Sequence, residues 1–403
     1  MSPKGSHPLW GSGADQEMHT GQPLEIRFTL LRGTKMRIVA VVGIRSQYIK
    51  LYAIQNKLKQ LNALSKKIEV IYIDAGQHYD YELSAGFIDD LGIQFNDRLT
   101  YDTNDPLYIF SEMIFKLSCL YRKYNSVSPV DYVMVFGDAN TTMAASIAAS
   151  KTGMQLIHVE AGLRLGNLKS PEEGNRIVAD HLATKLFVSN KADWKSIERE
   201  GLSERSCFSG DVIQDLVLHL KNNGVLNGSI SYLPETSRTL QPFLANDFIV
   251  ASLHRKENIA SDCIVPLLKA LDQLPYSVIF IAHPAMLERI KHLNFDRGKI
   301  TIAKYIPYYD MLTCINACRY LITDSGAYQR EAYYLSKRCL IRQDVAFWQH
   351  LVDIGVHERV GPTYADLCSG IKKIESLLEK EYPKTDYFGT GDAVQTIFEN
   401  LLG

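Results

Sequence analysis

From Met36 onward, short apolar runs rich in β-branched residues alternate with longer stretches in which apolar residues recur every three or four positions. "MRIVAVVG" reads as a strand, and "YIKLYAIQNKLKQLNAL" after it as a helix. "KIEVIYIDAG", "DYVMVFGD", "LIHVEAG", "KLFVSN" and "CFSGD" read as further strands, with helices in "YELSAGFIDDLGI" and "TTMAASIAASKTG". Strict alternation predicts parallel sheets covered on both faces, because a parallel neighbour is reached only by a crossover. The pattern fades through the polar passage "GVLNGSISYLPETSRTLQPFLAND", then restarts with "FIVASLH", "SVIFIAHP", "KITIAKYI", "YLITDSG" and "RCLIRQD". The prediction is an α/β protein of two Rossmann-like, doubly wound parallel-sheet domains facing a cleft, residues 36–220 and 221–385. The amphipathic end "DAVQTIFENLLG", within residues 386–403, is expected to pack back on the first domain. Residues 1–35 lack either period over most of their length and lack the apolar centre of a signal peptide. They read as a disordered leader or an expression-derived extension outside the fold.

Composition narrows the partners. At 403 residues the chain exceeds one ordinary core, which agrees with two domains. Its 44 Lys and Arg nearly cancel 45 Asp and Glu, so no general field draws nucleic acid or an anionic membrane. An anionic ligand must be held by a local site. No apolar run reaches bilayer length. The 7 cysteines are scattered and odd in number, as in a reducing cytoplasm. Cys314 and Cys318 stand one helical turn apart with no His or Cys cluster nearby, so they read as core rather than metal ligands.

The chemistry-bearing residues sit where strands end. "VVGIRSQYIK" puts Gly43, Arg45 and Lys50 at the first strand-to-helix turn, without the GxGxxG of a dinucleotide site. In "VFGDANTT", Asp138 follows Gly137 as either a helix cap or a site carboxylate. "HVEAGLRLGNLKSPEEGNR" gathers Glu160, Arg164, Glu172, Glu173 and Arg176 into either an ion-paired surface loop or an active-site floor. In the second half, "ASLHRKEN" offers His254, Arg255 and Glu257, and "IAHPAM" offers His283. "LITDSGAYQREA" runs a strand into Asp324, Ser325 and Gly326 at a helix start, which reads as a phosphate cradle or as plain capping. Glu331, further along that helix, suits the hydroxyls of a ribose. Taken together, these ends imply a ligand with phosphate, a polyol and one centre needing acid–base chemistry: a nucleotide sugar.

"GQHYDYELSAGFIDDLGI", "HVEAGLR…PEEGNRIVADHLA", "SLHRKEN" and "TDSGAYQREA" occur in an order and spacing that resemble the non-hydrolysing UDP-N-acetylglucosamine 2-epimerases from Met36 to the end. The resemblance implies a glycosyltransferase-B fold. It implies elimination of UDP to a 2-acetamidoglucal and re-addition with C2 inverted, without metal or nicotinamide cofactor. Asp138, Glu160 and Glu172 match the family's catalytic acids, and His254 its histidine near the diphosphate. Arg45, Ser325, Gly326 and Glu331 match nucleotide contacts. Lys50, Arg164, Arg176, Arg255, His283, Ala327 and Arg342 complete the expected binding set. A cytoplasmic homodimer acting on a UDP-sugar is the implied whole. Clustered carboxylates repel, so neutralising Glu160 is expected to leave stability level or raise it.

Three departures stand out. Ser46-Gln47 replaces the family's Pro-Glu. Ala327 replaces a second Gly, and Arg330 the first Glu of a pair. "RQDVAFWQH" keeps Arg342 but puts Val345, Ala346, Phe347, Trp348 and Gln349 where the family has a polar block. A modified or deoxy sugar is the expected consequence, with Phe347 and Trp348 either lining its pocket or packing in the core. A glycosyltransferase of the same fold, or a non-catalytic nucleotide-sugar-binding homologue, is the alternative.

Overall fold

The computed structural model describes residues 35–65, 67–77, 88, 91–227, 247–255, 258, 261–282, 284–291, 298–303, 306–343 and 347–403. The first sheet contains β1 (Met36–Val42), β2 (Ile68–Asp74), β3 (Asp97–Arg98), β4 (Tyr132–Phe136), β5 (Leu156–Ala161), β6 (Lys185–Val188) and β7 (Ser206–Phe208). Its helices are α1 (Arg45–Ser65), α2 (Pro106–Val127), α3 (Asn140–Lys151), α4 (Pro171–Leu182), α5 (Trp194–Arg199) and α6 (Val212–Asn222). The second sheet contains β8 (Phe248–Leu253), β9 (Ser277–Ala282), β10 (Ile300–Ala303), β11 (Tyr320–Thr323), β12 (Arg338–Ile341) and β13 (Glu358–Arg359). Its helices are α7 (Ser261–Asp272), α8 (Pro284–Lys291), α9 (Tyr308–Ala317), α10 (Gly326–Tyr334), α11 (Gln349–Asp353) and α12 (Tyr364–Leu378), and α13 (Ala393–Leu402) closes the chain.

Every strand pair in both sheets is parallel. The orders are β3-β2-β1-β4-β5-β6-β7 and β10-β9-β8-β11-β12-β13. Each order reverses once, between β1 and β4 and between β8 and β11, which opens a crevice beyond the carboxyl ends of those strands. Gly43 and Gly137 follow β1 and β4; His254 and Asp324 follow β8 and β11. The polar strand ends therefore stand at the two switch points.

Central strands such as Ile38–Val42 and Val133–Phe136 are buried throughout, as a sheet covered on both faces requires. The helix α13 turns Val394, Ile397 and Phe398 inward against α1 and α6. Its first amides, Ala393 and Val394, donate to Asp215 of α6 at 2.9 and 2.8 Å. The long helix α2, capped by Asp105, and the two-residue edge strands β3 and β13 are additions to the sequence reading. The expected helix "YELSAGFIDDLGI" falls largely outside the described residues, as do Glu257, His283, Val345 and Ala346. Among the described residues no helix is long and apolar enough to cross a membrane.

Candidate active site

The first switch point is built for close approach. A Cβ on Gly43 would lie 2.3 Å from Thr141 Oγ1, so only glycine fits beside α3. Gln47, one of the departures, knits this turn together. Its Oε1 accepts from Gly43 N at 2.8 Å, and its Nε2 donates to Phe136 O at 2.8 Å and Thr142 Oγ1 at 2.9 Å. Gly137 has φ +61°, and a Cβ there would come within 3.0 Å of Lys50 Nζ and 3.2 Å of Glu160 Oε2.

Glu160 is the centre of this floor. The β5–β6 register shifts between Val159 and Ala161, and Glu160 takes φ 71°, rare for a residue with a side chain. The bulge lifts Glu160 out of the ladder and aims it at the switch point. Lys50 pairs with Oε2, and Arg330 Nη1 donates to Oε1 at 2.7 Å. Burial alone would raise the Glu160 pKa, but these two cations hold it at about 2. The expected repulsion among carboxylates does not describe Glu160; it is neutralised from both sides.

Asp138 is one-third exposed and pairs with Arg176, whose Nη1 also donates to Glu173 Oε2 at 2.9 Å. Glu173 is buried and accepts from the amides of Leu165 (3.1 Å) and Gly166 (2.8 Å). It fixes the loop before α4. Glu172 stays exposed on the first turn of α4, where the Ser170 hydroxyl lowers its pKa. Asn175 adds a bond from Nδ2 to Asp138 O at 2.9 Å. Beneath the floor, His158 joins Asp180 at 2.6 Å and Gly137 O at 2.8 Å. Arg164 meets Asp180 at 2.8 Å and Glu200 at 2.8 and 2.9 Å, so its guanidinium braces the floor from below.

The second switch point turns on Asp324. Its carboxylate accepts from His254 N and Arg255 N, from Asn258 Nδ2 at 2.8 Å, and faces His254 Nδ1 at 2.8 Å. Burial would raise the Asp324 pKa, but the contacts from His254, the Arg255 amide and Asn258 together outweigh it and the net shift is downward. His254 is thereby oriented with its ring half exposed. Ser325 caps α10, its Oγ accepting from Tyr328 N at 3.4 Å, and Gly326 and Ala327 form the first turn. Glu331 is buried; Tyr308 donates to Oε1 at 3.1 Å, while Oε2 has no hydrogen-bond partner among the described residues. Burial pushes Glu331 up to about 7. Arg45 reaches across from α1 to the Tyr328 hydroxyl and lies near Tyr308 and Glu331. Arg342 is buried and donates to the carbonyls of Cys263 (3.1 Å) and Pro362 (3.0 Å).

The two replacement aromatics divide. Trp348 is 5% exposed, donates Nε1–H to Gly326 O at 2.8 Å and packs on Phe388 with centroids 5.2 Å apart. It is core. Phe347 is only partly buried; its ring lies over Gly326 and under the Arg255 guanidinium, 5.4 Å from the centroid. The contacts that sequence reasoning did not find join distant segments: Arg330 to Asp211 at 2.8 Å, Tyr334 to Asp211 at 2.6 Å, and Tyr52 to Tyr309 at 2.5 Å.

The model of the UDP-N-acetylglucosamine 2-epimerase family matches residues 60–402. The chain belongs to that family. Among the similar epimerases, a UDP-N-acetylglucosamine 2-epimerase homolog of Methanococcus maripaludis is 29% identical, covering 91% of this chain and 99% of its own length. The UDP-2,3-diacetamido-2,3-dideoxy-D-glucuronate 2-epimerase of Pseudomonas aeruginosa is 28% identical, with the same 91% and 99% coverage. A solved Methanocaldococcus jannaschii UDP-GlcNAc 2-epimerase, in complex with UDP-GlcNAc and UDP, superposes with a TM-score of 0.72 at 26% identity over 91% of this chain and 99% of that one. The two-sheet architecture is thus the epimerase family's, as the motifs implied.

Proposed function

We propose that this epimerase inverts C2 of a UDP-2-acetamido sugar by eliminating UDP and adding it back to the glucal. The observation that carries the reading is the facing of two switch points: Asp138 and Glu160 at one, His254 and the α10 start at the other, linked by the Glu160–Arg330 contact. The C2 proton becomes labile only as the C1–O bond breaks and positive charge grows on the ring. Anionic Glu160 suits that charge and suits proton abstraction, but as a carboxylate it has no proton to donate. Asp138 is the candidate for delivery to the opposite face; the exposed Glu172, whose pKa the Ser170 hydroxyl also lowers, would first have to take up a proton there. Amides at the α10 start and Arg45 suit the diphosphate, and Glu331 the ribose.

Phe347 beside Arg255 and Gly326 supports a sugar substituent unlike the ordinary one, while Trp348 is needed for packing. Incubation in deuterated water tests the proposal. The panel holds UDP-N-acetylglucosamine, UDP-2,3-diacetamido-2,3-dideoxy-D-glucuronate and 6-deoxy analogues. Deuterium entering C2 is the expected outcome; transfer to an acceptor without exchange overturns it in favour of a glycosyltransferase. Turnover of UDP-N-acetylglucosamine as fast as any modified sugar overturns the altered specificity. All seven cysteines are free thiols, which supports a cytoplasmic location. The outward apolar face of α2, with Leu107 77%, Tyr108 58% and Phe115 67% exposed, supports a homodimer.

A further inference from the structure

Arg330 stands where the resembled motif carries a glutamate, and its surroundings give it a task. We propose that Arg330 is the positioning residue for Glu160, reaching from α10 to fix that carboxylate at the first switch point. The inference rests on the reading of Glu160 as the group that takes up the C2 proton.

One nitrogen, Nη1, donates to Glu160 Oε1 at 2.7 Å and to Asp211 Oδ2 at 2.8 Å. Asp211 is itself tied down by hydrogen bonds: it caps α6 by accepting from Ile213 N at 2.9 Å, and Tyr334 donates to its Oδ2 at 2.6 Å. The face of the guanidinium lies over the Trp348 ring, 4.8 Å from the centroid. Trp348 is in turn pinned by Gly326 O and Phe388. Arg330 is therefore clamped between an anion and an aromatic plane before it meets Glu160.

Glu160 needs such a clamp. Its bulged backbone at φ 71° is not held by the strand ladder at that residue. Lys50 holds one oxygen and Arg330 the other, which fixes the plane of the carboxyl group. The charged and titratable groups facing it are Lys50 from α1, Arg330 and Tyr334 from α10, and Asp193 from the turn before α5. A proton acceptor displaced by about an ångström can lose about a hundredfold in rate, so the clamp bears on turnover rather than on sugar affinity.

The experiment compares wild type, Arg330→Met and Arg330→Lys by C2 deuterium exchange across pH. Arg330→Met should lower kcat about a hundredfold and change KM by less than about threefold, as expected for a misplaced proton acceptor. With one cation gone, the acid limb of kcat should move up by about one unit. Arg330→Lys should recover about tenfold of the loss, because charge returns without the flat fork. Unchanged kcat per folded molecule with an unmoved acid limb, whatever the melting temperature, overturns the proposal. Arg330→Gln, neutral but hydrogen-bonding, serves if the Met variant does not fold, with the same expectations. Carboxyl 13C NMR of Glu160 without substrate separates the two claims. If wild type exchanges no C2 hydron, the epimerase reading fails; an unmoved Glu160 titration in the neutral variants overturns the clamp, and an upward one supports it.

Discussion

At the scale of single residues, Glu160 shows how pairing alters the expected cost of a buried carboxylate proposed to take up a proton. Glu160→Gln should cut C2 exchange by about a hundredfold. Contrary to the expectation from clustered carboxylates, it should also lower the melting temperature, since Lys50 and Arg330 would lose their shared anion in a buried site. Melts and exchange rates on one preparation check both. Asp193 is the opposite case. Burial lifts it to about 7, with Asn190 donating to it and the Glu160 charge opposing its ionisation. The folded state thus holds a proton that the unfolded chain releases near pH 4. Its ionisation subtracts stability progressively as pH rises from about 4 to about 7, and the loss is complete above that. Asp193→Asn should raise the melting temperature at pH 8 by roughly 3 °C or more and have little effect at pH 4. Equal effects at both pH values would contradict the buried-proton account.

At the scale of elements, the start of α10 carries the phosphate prediction. Ser325→Asp keeps a capping oxygen but sets a negative charge where the diphosphate would meet the first-turn amides. UDP affinity measured by calorimetry should fall at least about tenfold, while unchanged affinity would move the nucleotide elsewhere. Trp348→Ala should destabilise by about 3–5 kcal/mol, the range for a buried aromatic, and slow turnover through Arg330. The strands and their polar ends were legible because a parallel sheet writes its core as unbroken apolar runs and places its ligands just beyond them. Which member of the pair Glu172 and Glu173 turns inward was not, because helix phase at a first turn depends on where the chain enters. Arg330 was visible only as a departure. Its partners lie 170 and 119 positions away, and no local period encodes such a meeting.

At the scale of the molecule, the sequence conveyed two sheets and a cleft but not the side chains that join them. Tyr52 with Tyr309 and Glu160 with Arg330 each link a residue from the first half to one from the second. The α2 face gives a test of assembly. Phe115→Glu should convert a dimer to a monomer in light scattering, and an unchanged mass would place the interface elsewhere.

The helix α13 has a consequence for the order in which the fold is assembled. The layer over α1 and α6 is finished by Val394, Ile397 and Phe398, far along the sequence from both helices. The first sheet can pair its strands without them, yet one apolar flank stays uncovered until α13 docks. A chain cut before residue 393 should hold that flank open and bind a hydrophobic dye or a holdase chaperone, and release should follow when residues 393–402 are supplied as a peptide.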